Sequence, residues 1–457
     1  MNTRLEDRDV LETLTAMRPD ADRLAGDWHA ERRHTVLRKV LAEPVPRPAT
    51  AGAPRWIGAA LAVAAVAAAA FVLLPGMLGG GRSIEAVPGW TPGEPVTEPT
   101  WFAIDQGPLS PRYEAGGAWV AGRYLVVGGH LDPCGPRDSG CTEADREILT
   151  DGALYDPATD SWTSIAPMPR VENLSVPAVL GSSVYFLTGI PHPDGSPTSS
   201  DEFQPGEGQT LLRYQVESDS WTSYQLPQPA GGQLVATDSA VILLTGNDQD
   251  AQLSDLVFHP DSAGFTELPD DPLGPGIDRN AVWVKDRLVL SALPLDATDG
   301  AGAHPLGLAV LDSSLTTWTL LNPTEAAYGW KPLAVGDRVL WRPDGARAEV
   351  VDDRRTFELV SSLDPATGEV TTIRAPYQGY GGYPAGSLGS LWVATRDEVV
   401  VEGALLDPVR QEWTNVPPLE LPEAFYLGAV VAGENSLLIW GGDVPGHAEG
   451  RLLVLPE

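Results

Sequence analysis

The sequence predicts an all-β domain, a ring of seven four-strand repeats of the propeller type, preceded by short helices and one membrane-spanning helix. Three observations predict it. Aligning the chain with itself returns one four-strand pattern again and again from residue 98 to residue 457. A 23-residue stretch without a charge, Trp56–Leu78, lies upstream. The 48 Gly and 42 Pro fall between short apolar runs rather than in one tract, which favours many turns and short strands over helices.

In chain order, residues 1–42 read as a cytoplasmic helical segment. Leu5, Leu11, Leu14 and Met17 suit one amphipathic helix, and Pro19-Asp20 breaks it and caps a second. Residues 43–55 are a Pro-rich linker and 79–97 its outer counterpart. Residues 56–78 are long enough to span, since a helix of about 20 residues crosses the hydrocarbon core. Arg32, Arg33, Arg38, Lys39, Arg47 and Arg55 precede the span, whereas Arg82 stands alone before Glu85, Glu94 and Glu98. By the positive-inside rule the N-terminus is then cytoplasmic and the large C-terminal domain extracytoplasmic, at the cell membrane. A cleaved secretory signal is the alternative, but its apolar core runs to only about 7–15 residues. The helices, the RPDAD turn and the single span resemble membrane proteins of high-GC Gram-positive bacteria, some of them membrane-bound anti-sigma factors. The zinc cluster of many anti-sigma domains is absent, because no Cys precedes Cys134.

Each repeat opens with a hairpin, as in AWVAGRYLVVGG from Ala118, and continues with an apolar strand, a polar turn and an aromatic-Thr pair, as in ALYDPATDSWTSI from Ala153. Fourth-strand anchors fall at Trp101, Trp162, Trp221, Phe265, Trp318, Val370 and Trp413, separated by 61, 59, 44, 53, 52 and 43 residues. Two half-units are orphans. The chain ends in RLLVLPE, a third strand without a fourth, while EPTWFAI from Glu98 is a fourth strand without the first three. Pairing the strand at Trp101 with that at Leu453 closes the ring and covers both edges. Six or eight repeats are the alternative counts. The doublets Gly128-Gly129 and Gly441-Gly442, the YDPATDSW turn from Tyr155 and the PMPR link from Pro167 resemble the kelch family, which implies a seven-bladed kelch-like β-propeller over residues 98–457. The anchor tryptophans are expected to pack between blades as core.

Residues 1–55 are nearly balanced, with 10 Lys+Arg against 9 Asp+Glu. The rest of the chain, with 20 Lys+Arg against 53 Asp+Glu, therefore carries about -33 of a net charge of -32, which makes nucleic acid a poor partner. Insertions crowd one face: His130 to Thr150, Ile190 to Gln209, Leu293 to Gly307, Pro343 to Thr356 and Ala375 to Ala385 join second to third strands or one repeat to the next. Long loops on a rigid scaffold are where binding concentrates, and Tyr328, Trp330, Tyr377, Tyr380 and Tyr383 lie among them as candidate ligand-binding aromatics. Local loop packing is their other reading. Cys134 and Cys141, the only cysteines, share one insertion and form an expected disulfide in an oxidising compartment. His130, His192, His304 and His447 come from different repeats without short ligand spacing, so no metal site is predicted, and no cofactor. No G-x-S-x-G, phosphate-binding glycine loop or His-Glu-x-x-His occurs, and no catalytic residue is assigned.

The expected function is a membrane-anchored, extracytoplasmic binding or sensory module whose long-loop face contacts a protein, peptide or glycan. The alternatives are a propeller lyase or hydrolase, and a regulator acting through the cytoplasmic helices.

Overall fold

The computed structural model describes residues 88–456 apart from short segments, the longest being 132–146, 189–208, 245–253, 295–303 and 378–391. The expected cytoplasmic helices, the span 56–78 and Cys134 and Cys141 lie outside the described residues. Among the described residues every regular element is a strand, and no helix is long and apolar enough to cross a membrane.

Antiparallel four-strand sheets follow one another along the chain. The first comprises Gly116–Val120, Arg123–Val127, Gly152–Asp156 and Ser161–Ser164; the second Ala178–Leu180, Ser183–Leu187, Thr210–Gln215 and Ser220–Gln225. The third comprises Gln233–Ala236, Val241–Leu244, Leu256–His259 and Gly264–Glu267; the fourth Gly276–Val284, Arg287–Pro294, Gly307–Leu311 and Trp318–Leu321. The sixth is Trp392–Ala394, Val399–Val401, Ala404–Asp407 and Glu412–Asn415. The closing sheet joins Tyr426–Ala432, Ser436–Asp443 and His447–Val454 to Thr100–Ile104, with Trp101 opposite Leu453 as the orphan halves require.

The expectation of a seven-bladed ring needs correction, because six sheets match the four-strand blade. Six sheets have the regular four strands, but the fifth has five: Trp330–Val335, Arg338–Arg342, Arg355–Asp364 and Glu369–Tyr377, with Ala348–Asp352 added. The insertion 343–356, expected as a loop, supplies that extra strand by folding back on Arg355–Asp364. The first strands of the seven sheets meet neighbour to neighbour in a closed circle, first sheet to second and so on until the closing sheet returns to the first.

Second and third strands are the most buried, because each is covered on both faces by neighbouring sheets. The apolar core is correspondingly divided into clusters between sheets, such as Val127, Val184, Phe186, Leu212 and Tyr214 between first and second. Close approach sets glycine positions here. Gly128 and Gly129 take φ of 66° and 84°, and a Cβ on Gly129 would sit 2.4 Å from the Tyr113 carbonyl oxygen.

One contact repeats around the ring. The Trp221 indole N–H donates to the Ala166 carbonyl at 2.9 Å, Trp318 to Pro269 at 2.8 Å, Trp413 to Arg374 at 2.8 Å and Trp101 to Pro417 at 3.0 Å. In every case the acceptor stands four residues after the anchor of the preceding sheet, so the anchors Trp162, Phe265, Val370 and Trp413 each set the carbonyl that the next tryptophan reads. Asp219 Oδ1 completes the clasp at the first of these interfaces by accepting from the Ala166 amide at 2.8 Å. It also accepts from the Tyr214 hydroxyl at 2.9 Å; burial first, and then this bond, hold that phenol well above its ordinary range. The turn before the anchor bends through a left-handed residue two positions ahead of it: Asp160, Asp219, Ala263, Gly368 and Gln411. Val370, the anchor without a ring, shares its cluster with Trp341 of the second strand, which is fully buried and donates to Ser291 Oγ at 3.1 Å.

Trp221→Phe keeps most of the ring and removes the N–H, so it is expected to lower unfolding free energy by about 1 kcal/mol in denaturant titration. Deleting residues 451–457 removes half of the closing pair and should lower the thermal midpoint of the whole domain. A truncated domain that melted with the intact one would contradict the closure.

Candidate functional site

Turns joining first to second and third to fourth strands contain two to six residues, whereas the second-to-third connection in the first sheet runs from Gly128 to Asp151. The two ends of the ring therefore differ, and the long-loop end is the candidate face.

On that end the fifth sheet's third and fourth strands extend past its second. Its second strand pairs Trp341 with Ser361, so Arg342 comes level with Val360, which pairs with Ile373. The third and fourth strands run on to the pair Thr356–Tyr377, four residues or about 13 Å further along the strand. Ala348–Asp352 pairs with that overhang, turning it into a three-stranded extension.

Two of the candidate aromatics flank this sheet and a third leads into it. Tyr377 ends its outermost strand, and Trp330 begins its innermost strand, where the register shifts between Trp330 and Pro332. Tyr328 is half-buried just before, its amide donating to the buried Ser361 hydroxyl at 3.0 Å, and Gly329 at φ 115° turns the chain into the strand. Tyr380 and Tyr383 lie outside the described residues. The fold thus places Tyr328, Trp330 and Tyr377 at one end of one sheet.

Among the described residues the candidate histidines do not assemble. His130 is buried at the foot of the insertion 132–146, stacked on Tyr113 at 5.6 Å with its Nδ1 3.7 Å from Glu114 Oε2. His304 lies in the fourth sheet's connection and His447 opposes Asp443 across the closing hairpin, while His192 is outside the described residues. Among the described residues no group of three or more His, Cys, Asp or Glu could hold a metal.

Sequence reasoning missed two ionic clusters that brace this face. At the seam between the closing and first sheets the buried Arg112 guanidinium forks onto Asp151 at 2.7 and 2.9 Å. It also donates to the Gly128 carbonyl at 3.2 Å and the Ser110 carbonyl at 3.0 Å, 5.9 Å above the Trp440 ring. Hydrogen bonding from Arg112 holds the Asp151 carboxyl below its ordinary 3.8. Between the third and fourth sheets Arg279 bridges Asp255 and Asp271; burial opposes its charge, and the two carboxylates outweigh that and raise its pKa. These cations spend their donors inside the protein, so they serve the scaffold. Pairs 39 and 24 residues apart leave no local pattern to read.

A closed ring of antiparallel sheets with glycine doublets and anchor tryptophans defines a kelch-like β-propeller. In keeping with that class, the chain is similar to the Kelch-like protein terF of Aspergillus terreus (strain NIH 2624 / FGSC A1156), 26% identical over 343 residues. The likeness covers 68% of this chain and 65% of that protein, so the chain spans less than two thirds of the relative's length. No family model matches the chain.

The Asp151 carboxylate has its pKa lowered in the folded state, so its stabilisation is present above about pH 4 and is lost as the pH falls below that toward the folded value. Asp151→Asn leaves Arg112 without its counter-charge. The expected cost is about 1–3 kcal/mol at neutral pH, below that of a fully buried pair because the Asp151 side chain is 53% exposed. Thermal midpoints measured from pH 7 to pH 3 should show the wild-type advantage over this variant shrinking in acid.

Proposed function

We propose that this kelch-like propeller is a protein-interaction module whose long-loop face binds a protein or peptide, held outside the cell by the span 56–78. In this reading the five-stranded sheet is the seventh blade, and its extension is part of the face. The observation that carries the reading is the difference between the two ends of the ring: two- to six-residue turns at one, and the insertions, the extension and the candidate aromatics at the other. Aromatic side chains beside glycines offer large contact area at low entropic cost. The kelch-like name of the relative supports an interaction role, and the disulfide Cys134–Cys141 would stiffen one insertion on the same face.

Pull-down after in-cell crosslinking tests it, comparing the native chain with one carrying Tyr328→Ala, Trp330→Ala, Tyr377→Ala, Tyr380→Ala and Tyr383→Ala. At least a tenfold loss of the recovered partner is expected from the variant, and equal recovery would remove the face from consideration. Deleting residues 56–78 should move the protein from the membrane to the soluble fraction; retention in the membrane fraction would sink the anchor.

A further inference from the structure

The seam between the closing and first sheets carries a piece that other interfaces lack. Before the chain enters Thr100–Ile104 it runs alongside that strand: the Ala103 amide donates to the Pro88 carbonyl at 2.8 Å and the Trp90 amide to the Ala103 carbonyl at 2.9 Å. Gly89 thereby bridges Ala103 in the parallel sense, on the edge of Thr100–Ile104 that faces away from His447–Val454. The Trp90 ring packs edge-on against Phe102, with centroids 4.9 Å apart. Its indole N–H donates at 2.7 Å to the Pro157 carbonyl, in the third-to-fourth turn of the first sheet.

Both partners belong to opposite sides of the seam. Phe102 is in the closing sheet, Pro157 in the first, and Trp90 and Val96 pack on the cluster those sheets share, which includes Ile104, Tyr124 and Tyr155. At the four interfaces described above, an anchor tryptophan donates back to the preceding sheet; Trp90 donates forward, from the closing sheet to the next. Among the described residues, no other four-stranded sheet has a segment bridged outside its fourth strand. The extra contact thus falls at the interface whose closing strand comes from the opposite end of the chain.

Two backbone hydrogen bonds and one half-buried ring hold this segment, against five residue pairs between Thr100–Ile104 and His447–Val454. The return to Thr100 is mostly exposed, with Gly93 at φ 77°. We infer that Pro88–Trp90 is a releasable strap on the seam, so that what happens to the chain before Pro88 sets how firmly the ring is closed. When the strap lifts, the edge of Thr100–Ile104 opens and that strand becomes the next to exchange with solvent. Anchoring of the chain upstream, as the proposed function has it, would make tension the release signal, but the strap itself does not require an anchor.

Hydrogen exchange on the full chain tests it, with Trp90→Ala and with Trp90→Phe, which keeps the ring and loses the bond to Pro157. Trp90→Ala is expected to speed amide exchange at Phe102–Ile104 and Leu452–Val454 tenfold or more and leave the second and third sheets at wild-type rates, with Trp90→Phe in between. Unchanged exchange at Phe102–Ile104 in both variants would overturn the strap. So would equal acceleration in all sheets, which would make Trp90 ordinary core. The exchange pattern reads the seam directly and is independent of partner recovery or membrane attachment.

Discussion

The pairing of Thr100–Ile104 with His447–Val454 carries the rest of the structure, because it joins the two ends of the domain in one sheet and so completes the ring. In an open array the first and last sheets would each expose an apolar face and an unpaired strand edge to water. Here the register puts Trp101 against Leu453 and Phe102 against Leu452, and those residues belong to different inter-sheet clusters on the two faces of the same sheet. One strand therefore completes two interfaces at once. The Arg112–Asp151 fork, the Tyr124–Ser436 hydroxyl pair at 2.6 Å and the Trp90 strap gather at the same seam. Desolvated hydrogen bonds there add direction to an otherwise non-directional apolar contact.

Between the other sheets the direction comes from the anchor tryptophans. An indole buried at an interface needs an acceptor, and the preceding sheet supplies a carbonyl at a fixed place, four residues after its own anchor. The contact sets the angle and height of each sheet against the last, and it works with any side chain on the acceptor residue: Ala166, Pro269, Arg374 or Pro417. Where the ring or the N–H is missing, other bonds take the load. Trp341 reaches Ser291 between the fourth and fifth sheets, where Val370 has no ring, while between the third and fourth Gln233 adds two bonds of 2.9 Å to the Ala281 backbone beside the Trp318 bond. At the short-turn end, ion pairs Lys285–Asp337 and Arg396–Glu434 link successive first-to-second turns. Exposed as they are, these add little stability.

Much of this architecture was legible because it repeats. A hairpin followed by a turn and an aromatic-Thr pair can be found by comparing the chain with itself, and the orphan halves at Glu98 and Leu453 declare their pairing. The difference between the two ends of the ring was legible too, since turn length is a property of sequence. Contacts made once were not. The Pro- and Gly-rich run around Trp90 reads as linker, because its strand pairing exists only once Ala103 is in place. Polar residues hid the strand at Ala348–Asp352, which forms only because Arg355–Asp364 overhangs its own sheet. Val370 reads as a broken repeat, and the ring in its cluster comes from a different strand, as Trp341.

The same distinction bears on the candidate face. Residues that repeat around the ring hold sheets together, and Arg112 and Arg279 on the long-loop end are engaged in Arg112–Asp151 and Arg279–Asp255–Asp271. Side chains available to a partner must then come from positions the repeat does not dictate, which are the insertions and the overhang of the fifth sheet. Tyr377 stands at the tip of that overhang, and Trp330 at the foot of the same sheet beside a register shift. A scaffold that satisfies its own polar groups internally can vary such positions at small cost to the ring. That separation lets one rigid ring present a face whose chemistry is set by a few loops.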